Sequence, residues 1–355
     1  MEKILLEDCC EILDSMRVPI TSSDRVEGPY PYYGANGIQD HVADYIFDDE
    51  LVLLAEDGGN FGSKERPIAY RVSGKCWVNN HAHVLKPKEG LDVDYLCYSL
   101  MFYNVGGMVN GATRQKLTQA AMRKMLIPKR SLNEQKYIVD LLTKVVTLKE
   151  KRQQELDQLD NLIKARFVEF FGERGKVVPL TDYVWFQEGP GVRSVDFTDN
   201  GTILLTGSNI NNNEISFGYK SDRFISNDLA SGKYAHFICD KDDILVVSSA
   251  IAPEKFDKKV TIVKEDKKYC LNTGIIRFKP NLEVMTLGYF REFLKTDYFK
   301  HQVMAEMRGI AQMHFGPSHL KQMTILLPES IEQQIEFEKF VKQVDKSKVV
   351  ALKAA

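Results

Sequence analysis

The sequence predicts a mixed α/β (α+β) protein: two globular domains in a pseudo-two-fold repeat, separated by long helices that form an antiparallel coiled-coil spacer. A chain of 355 residues exceeds the size at which one hydrophobic core usually stops growing, so two domains of roughly 130–150 residues are expected. Leu126-Ile-Pro128 and Asn133-Glu-Gln135 return later as Leu326-Leu-Pro328 and Glu332-Gln-Gln334. A helical pattern follows both times, so the chain contains two copies of a domain-plus-helix unit.

The first domain is expected to span residues 1–128. Short apolar runs such as Leu51–Ala55 and Cys76–Val78 favour strands, and turn-forming glycines and prolines separate them. Tyr95–Tyr103 has the pattern of a short helix, and Pro128 ends the domain.

A central spacer helix is expected within residues 129–175. Apolar residues recur there at three- and four-residue steps, and Gly172 and Gly175 stop the helix. Roughly 40 residues in one helix would span about 60 Å. Arg152 lies within the apolar stripe, where it should weaken the helix pairing or fix its register.

The second domain is expected over residues 176–328. Thr202–Thr206, Asp243–Val247 and Val260–Val263 have strand patterns, and a helix is expected near Leu287–Phe299. A C-terminal spacer helix should follow within residues 329–355, at about half the length of the central one. Such an amphipathic helix favours an antiparallel partner, although packing of each helix on its own domain stays an alternative.

Composition narrows the class of protein. The net charge of −2 neither supports nor excludes nucleic acid, because a basic face can coexist with an acidic one. The six cysteines show no CxxC spacing, which favours reduced thiols over disulfides or zinc. The sequence shows neither a signal peptide nor a membrane-spanning apolar run. These features predict a soluble, cytoplasmic protein without a membrane association.

Several segments of the first half resemble the target-recognition domain of type I restriction–modification specificity (S) subunits. They are Pro31–Ile38, Asp40–Val42, Tyr45–Phe47, Leu53–Asn60, Trp77–Leu85 and Gly111–Leu117. Ile127-Pro128 with Asn133-Glu-Gln135 is similar to the family's boundary between recognition domain and spacer helix. The second half resembles the family in its layout and in its closing segment, residues 320–334. The shorter last helix departs from the family pattern and puts the half-site spacing in doubt.

The resemblance implies a non-catalytic subunit that recognises double-stranded DNA with a bipartite site, one half with each domain. The implied partners are two modification (methyltransferase) subunits and the restriction (nuclease/translocase) subunits. This subunit would bind no cofactor, and S-adenosylmethionine, ATP and Mg would act on the partners. Consistently, the sequence contains no Asn-Pro-Pro-Tyr, no Phe-x-Gly-x-Gly and no Gly-x4-Gly-Lys-Ser/Thr motif. A coiled-coil protein-interaction adaptor and a self-contained nuclease or methyltransferase fragment remain alternatives.

Candidate DNA-binding residues are polar side chains near glycines, because Arg, Asn and Gln recognise base edges while Lys and Ser contact phosphates. The first domain offers Tyr32, Tyr33, Asn36, Lys64, Arg66, Arg114 and Lys116. The second offers Arg193, Ser208, Asn209, Lys255, Lys258, Lys259, Arg308, Gln312 and His314. The loops 111–117 and 307–313 occupy equivalent places and form a matched pair.

Other polar clusters have simpler interpretations. His81 and His83 could share a strand face and bind a metal, but no third ligand lies nearby in sequence, so no metal site is predicted. Glu56-Asp57 and Asp242-Asp243 are interpreted as solvated turns rather than nuclease carboxylates.

Overall fold

The computed structural model describes residues 2–111, 114–172, 175–218, 221–305 and 312–353. The chain forms two compact units, Met1–Glu150 (unit 1) and Lys151–Ala355 (unit 2), and each is described by itself.

Unit 1 contains ten described strands and three short helices, and its last part is the first half of a long helix. The strands are β1 (Lys3–Leu5), β2 (Cys10–Ile12), β3 (Tyr30–Gly34), β4 (Gly37–Val42), β5 (Phe47–Ala55), β6 (Ala69–Val78), β7 (Ala82–Pro87), β8 (Val109–Asn110), β9 (Lys116–Leu117) and β10 (Leu126–Pro128). The helices are α1 (Leu6–Cys9), α2 (Val93–Met101), α3 (Gln119–Arg123) and the long α4 (Leu132–Phe171).

The main sheet of unit 1 has the strand order β2-β7-β5-β6-β3-β4 and is antiparallel except for the β3–β6 pair. The second half of its central strand β5, Leu51–Ala55, is apolar without alternation because both faces of the sheet are covered there. Val52 and Leu54 enter one hydrophobic cluster, whereas Leu51 and Leu53 enter a second one on the other face. This rigid strand ends at Ala55, beside the candidate site.

Unit 2 continues α4 and adds twelve described strands and five helices. The strands are β11 (Lys176–Pro179), β12 (Val184–Glu188), β13 (Phe197–Thr198), β14 (Thr202–Leu205), β15 (Ile210–Asn211), β16 (Glu214–Ile215), β17 (Arg223–Ile225), β18 (Ile244–Val247), β19 (Val260–Ile262), β20 (Tyr269–Leu271), β21 (Ile275–Pro280) and β22 (Thr324–Leu327). The helices are α5 (Asn227–Ser231), α6 (Leu287–Phe293), α7 (Asp297–Ala305), α8 (Pro317–Leu320) and α9 (Ile331–Lys353).

Two four-stranded sheets organise unit 2. One has the order β12-β21-β18-β19 and the other the order β13-β17-β14-β20. The first sheet resembles the β2-β7-β5-β6 part of unit 1, because in both units the central strand, β5 or β18, pairs antiparallel with the next strand on one side and with a later strand on the other. An extensive core rich in phenylalanine, including Phe278, Phe290 and Phe337, packs in this unit.

The repeat inferred from the sequence is a repeated strand pair. In unit 1 the opening strand β1 pairs antiparallel with the closing strand β10. In unit 2 β11 pairs in the same way with β22. A tyrosine hydroxyl from an earlier helix ties each closing strand: Tyr95 of α2 donates to the carbonyl of Pro128 at 2.9 Å, and Tyr289 of α6 donates to that of Leu326. Both units therefore share one frame.

A buried glutamine joins each frame to its long helix. The Gln135 side chain accepts from the backbone N–H of Asp92 at 2.7 Å and donates to the carbonyls of Gly90 and Arg130. Its counterpart Gln334 is fully buried and accepts from Thr286 N–H at 2.8 Å. Each glutamine thus saturates three backbone groups, one just before its own helix and two just before α2 or α6.

The helices α4 and α9 pair antiparallel within unit 2. Gln333, at the start of α9, donates to the carbonyl of Phe170, at the end of α4, at 2.9 Å. Further along α9, Phe337 packs edge-on against Phe167, and Lys348 forms an ion pair with Asp160 at 2.6 Å. The predicted antiparallel coiled coil is confirmed, and α9 is the shorter partner, with 23 residues against 40 in α4.

The middle of α4 has a different environment. Near its start Ile138 packs against the core of unit 1, and near its end Ile163 lies in the core of unit 2. Between them Leu141, Val145 and Leu148 are about half exposed. The apolar stripe therefore continues through a segment that neither core covers.

One predicted element is wrong in its bounds. The helix expected near Leu287–Phe299 is two helices, α6 and α7, with a break before Asp297. Thr296 accepts from the backbone N–H of Phe299 and so caps α7, while its hydroxyl donates to the carbonyl of Phe293.

None of the helices in the described part of the chain is both long and apolar enough to cross a membrane. All six cysteines lie in that part, and each is an unpaired thiol in a buried position.

Candidate DNA interface

A corner of unit 1 gathers the strongest candidates. It consists of residues 56–58, which follow β5, and residues 114–117, which precede α3; we call it corner 1. The N–H of Leu117 donates to the carbonyl of Glu56 at 2.7 Å, and the N–H of Gly58 donates to that of Gln115 at 3.1 Å. Gly58 adopts a left-handed conformation with φ of 61°, which glycine accepts without steric cost. The residues that follow β5 thus hold the segment 114–117 in place through backbone hydrogen bonds.

The side chains of corner 1 form ion pairs. Arg114 Nη2 lies 2.9 Å from Asp57 Oδ1, and Lys116 Nζ lies 2.9 Å from Glu56 Oε1. His81 Nδ1 contacts the same Asp57 oxygen at 2.6 Å. The cationic side chains remain more than half exposed, while the carboxylates are mostly covered. The corner therefore presents cations on the outside and supports them with acids beneath.

A buried charge network lies under this corner. Arg17 bonds to Glu56 at 2.6 Å and also pairs with Asp14. His83 is fully buried, with Nδ1 2.7 Å from Asp14 Oδ2 and Nε2 2.9 Å from the carbonyl oxygen of Leu117. A carboxylate and a carbonyl therefore engage both ring nitrogens of His83. The network fixes Leu117 and with it the end of the loop.

Hydrogen bonds decide the ionisation of the two buried acids. Burial alone would raise the pKa of Asp14, but hydrogen bonds from His83, Gln119 and the backbone N–H of Val84 outweigh it and leave this pKa lowered. Burial likewise opposes ionisation of Glu56, whose pKa is nevertheless lowered by hydrogen bonds from Arg17 and Lys116. Both groups are therefore carboxylates at neutral pH.

Asp14, Glu56 and His83 are close enough to be considered as metal ligands, since their ligand atoms lie within 4.8 Å of one another. Arg17 and Lys116 already balance the two carboxylates, however, and both His83 nitrogens are engaged. A divalent ion would have to displace Arg17 from Glu56 and His83 from its present hydrogen-bond partners. The arrangement therefore supports a structural charge network, and the absence of a metal stays a prediction.

Unit 2 contains a matching corner, residues 248–251 and 312–315, which we call corner 2. The N–H of Phe315 donates to the carbonyl of Ser248 at 2.9 Å, as that of Leu117 does to Glu56 in corner 1. The N–H of Ser248 donates to the carbonyl of Gly274, as that of Glu56 does to His81. Ala250 has φ of 56°, at the position equivalent to Gly58. The two corners share these hydrogen bonds and the positive φ, but their next backbone contact differs: Gly58 pairs with Gln115 in corner 1, whereas Ile251 pairs with Met313 in corner 2.

The side chains at these matched positions differ in kind. Ser248 and Ser249 stand where corner 1 has Glu56 and Asp57, and His314 Nδ1 lies 2.9 Å from Ser249 Oγ. Gln312 and His314, both exposed, take the places of Arg114 and Lys116. Corner 1 is therefore charged, whereas corner 2 presents amide, hydroxyl and imidazole groups on the same backbone.

The structure separates the other candidates of unit 1. Asn36 is brought to corner 1, where its amide donates to the carbonyl of Gly58 at 3.0 Å. Lys64 lines an open cleft that also includes Gln115, and Arg66 is exposed nearby in sequence. Tyr33 is half-buried against Tyr70. Tyr32 is 1% exposed, so its side chain does not reach the surface and the prediction that it binds DNA is wrong.

In unit 2, Ser208 and Lys255 line one cleft together with Ser249 and Ala250 of corner 2. Arg193 is exposed on a separate segment. Asn209 is fully buried and accepts from Thr206 N–H, holding a turn, so its side chain is also removed from the hypothesis.

Three more candidates of unit 2 complete the set. Lys258 is half exposed and Lys259 is tied to the carbonyls of Gly207 and Ile210. Arg308, and with it most of the loop 307–313, lies outside the described residues.

The sequence interpretation of two acidic pairs is wrong in part. Glu56 and Asp243 are buried, not solvated: Glu56 binds Arg17, and Asp243 binds Arg277 at 3.1 Å. His81 and Asp57 were not among the candidates, although they contact Arg114 directly. Sequence proximity gave no signal for this contact, because Asp57 and Arg114 lie 57 positions apart.

Comparisons with known proteins agree with the repeated frame. The model of the type I restriction modification DNA specificity domain matches residues 1–158 and 174–353. A Haemophilus influenzae protein named type I restriction enzyme specificity subunit S.HindORF215P is 33% identical over 340 residues, covering 92% of this chain and 83% of the relative. The EcoprrI specificity subunit of Escherichia coli is 25% identical over 119 residues, covering 34% of this chain and 28% of the relative.

Solved structures share the fold. The crystal structure of a type I restriction–modification S subunit from M. genitalium superposes with a TM-score of 0.51 at 14% identity, covering 99% of this chain and 91% of that one. A structure from work on complex assembly and conformational transition of the type I restriction–modification system gives the same score and identity, covering 99% and 92%. At this identity the likeness concerns the fold alone. Because the family model matches both halves, this chain belongs to the type I restriction–modification DNA specificity family.

Proposed function

We propose that this chain is the DNA-recognition subunit of a type I restriction–modification complex. It recognises a bipartite double-stranded site, one half with each unit, and directs two modification subunits and the restriction subunits to that site. The observation that supports this most is the pair of corners: one backbone frame, present twice, carries different side chains at its exposed positions. Base contacts specify a sequence while a constant frame positions them.

The chemistry of methylation and cleavage belongs to the partners in this proposal. S-adenosylmethionine, ATP and Mg act on the modification and restriction subunits, and this subunit performs no catalytic step in the cytoplasm. The acids of corner 1 support this role, because Arg17, Lys116 and Arg114 occupy them and leave no open pair of carboxylates there for a nuclease metal.

A domain exchange tests the proposal. Residues 1–128 are replaced by the corresponding domain of a relative, the hybrid is co-expressed with the modification subunits, and methylated sites are mapped across the host genome. We expect one half of the methylated motif to change and the other half to persist. The reciprocal exchange of residues 176–328 is the matched control and should change the other half. A hybrid that keeps both halves, or loses both, contradicts the proposal.

A further inference from the structure

We propose that Arg114 recognises a guanine in the first half-site and that Asp57 holds the guanidinium in the recognition position. This inference rests on the proposed function and specifies what corner 1 binds. Arg114 is 60% exposed, yet its Nη2 lies 2.9 Å from Asp57 Oδ1. An exposed arginine held by a mostly covered carboxylate is oriented rather than free.

Three contacts define that orientation. Asp57 itself is fixed by a second contact, because His81 Nδ1 lies 2.6 Å from the same oxygen. The guanidinium lies over Gly58, where an added Cβ would come within 3.1 Å of Arg114 Nε. Gly58 therefore supplies the space in which the guanidinium plane rests, and its left-handed φ keeps the turn compatible with that space.

The donors that recognition needs remain available. Among the described residues, the polar contacts of Arg114 all run through Nη2, to Asp57 and to His81. Arginine has five N–H donors in a planar fork. Guanine presents two acceptors, O6 and N7, side by side in the major groove, and an arginine fork matches them with two parallel hydrogen bonds.

The carboxylate favours a base over a phosphate as the partner of Arg114. A phosphate is attracted mainly by net positive charge and tolerates a flexible side chain. Asp57 offsets the charge of Arg114 and restricts its movement, which weakens phosphate attraction but suits a directional base contact. Lys116, whose partner Glu56 is shared with Arg17, has no forked donor pair and fits a backbone contact better.

Corner 2 provides an internal comparison. Its equivalent of Arg114 is Gln312, and its equivalent of Asp57 is Ser249, which contacts His314 rather than an arginine. The arginine and its supporting carboxylate are thus replaced together. This is the expected pattern if the acid serves the arginine, and it predicts that the second half-site does not depend on an arginine at this corner.

The test uses the subunit co-expressed with its modification subunits, with methylation mapped across the genome and measured on duplexes that vary one base pair at a time. Arg114→Gln should lower methylation of sites that contain the recognised guanine by about 5- to 150-fold, the range that one bidentate contact gives. Preference at that single position should relax, and the second half of the motif should be unchanged. Arg114→Lys should behave similarly, because lysine keeps the charge but loses the fork.

Asp57→Asn tests the positioning role. It should relax the preference for guanine at the same single position, by a smaller factor than Arg114→Gln. Asp57→Glu, which keeps a carboxylate, should retain part of that preference. Asp49→Asn is the matched control, because it removes a carboxylate from β5, the strand that leads into corner 1, and the partner of Asp49, Lys86 at 2.7 Å, lies away from corner 1. It should leave the motif intact. Thermal unfolding of each variant separates a specificity change from loss of the fold.

Each alternative has its own signature. If Arg114→Gln weakens binding to all sequences equally and lowers the salt slope by about one, Arg114 contacts phosphate and the inference is wrong. If the motif and its efficiency stay the same, Arg114 makes no important contact and the inference is equally wrong. If the wild-type complex methylates no bipartite motif at all, the proposed function itself fails, and this inference with it.

Discussion

The buried glutamine at the start of α9 should be a principal stabiliser of unit 2. Gln334→Ala removes three hydrogen bonds, to the N–H of Thr286 and to the carbonyls of Val284 and Ser330. Each net hydrogen bond contributes about 1 kcal/mol, and leaving buried backbone groups unpaired adds to the cost. We therefore expect a loss of about 3 kcal/mol. For a unit of about 200 residues this corresponds to a fall in Tm of roughly 6–12 °C.

The two tryptophans make the measurement specific, because Trp77 lies in unit 1 and Trp185 in unit 2. In a Trp77→Phe background, fluorescence during urea unfolding reports on unit 2 alone. Gln343→Ala, an exposed position on the same helix, is the control and should change stability by less than about 0.5 kcal/mol. If Gln334→Ala costs no more than about 1 kcal/mol beyond this control, the buried amide does not hold the junction.

Three further predictions concern the spacer, DNA affinity and pH. Four residues inserted at Gln153–Gln154 lengthen α4 by about 6 Å and preserve its facing, so genome-wide methylation mapping should show a gap longer by one or two base pairs, at about 3.4 Å each; an unchanged gap contradicts the spacer role. The purified subunit alone, with a net charge of −2, should bind DNA weakly in a salt-titrated shift assay, and tight specific binding at physiological salt would contradict this. The pKa of Asp14 is lowered in the folded state. Ionised Asp14 therefore stabilises the fold above its unfolded pKa of about 4, and this stabilisation is lost as pH falls through its folded pKa. Trp77 fluorescence in a Trp185→Phe background should therefore show Asp14→Asn to be less stable at pH 7, with a flatter loss of stability below about pH 5.

The frame was predictable because its signals are local. The closing motif with Pro128 or Pro328 precedes a helical period in both halves, and the structure places strand, junction and helix there. The sequence also contains a signal for the break between α6 and α7, since Thr296-Asp297 is a good N-cap sequence. The apolar period on either side nevertheless favoured one continuous helix.

The support of the candidate site was not predictable from sequence. Glu56 meets Arg17, 39 positions away, and Asp57 meets Arg114, 57 positions away. Backbone hydrogen bonds between residues 56–58 and 115–117 bring Arg114 to Asp57, and no local sequence pattern encodes these long-range contacts. Tyr32 illustrates the converse, because a polar residue near glycines suggested a surface loop, whereas β3 turns its ring inward.

The uncovered middle of α4 has a consequence for the timescale of its motions. Most helices fray at their ends, because the backbone groups of the first and last turns lack hydrogen-bond partners within the helix. In α4 the ends are anchored, near Ile138 and near Ile163, while Leu141, Val145 and Leu148 between them are about half exposed and enter neither core; Thr143 in this segment shares a hydrogen bond with Tyr98 at 3.0 Å. Local opening should therefore be most frequent in the centre. Amide hydrogens there should exchange with deuterium faster than those of either end, and protection of the centre in an assembled complex would measure how much of the stripe a partner covers.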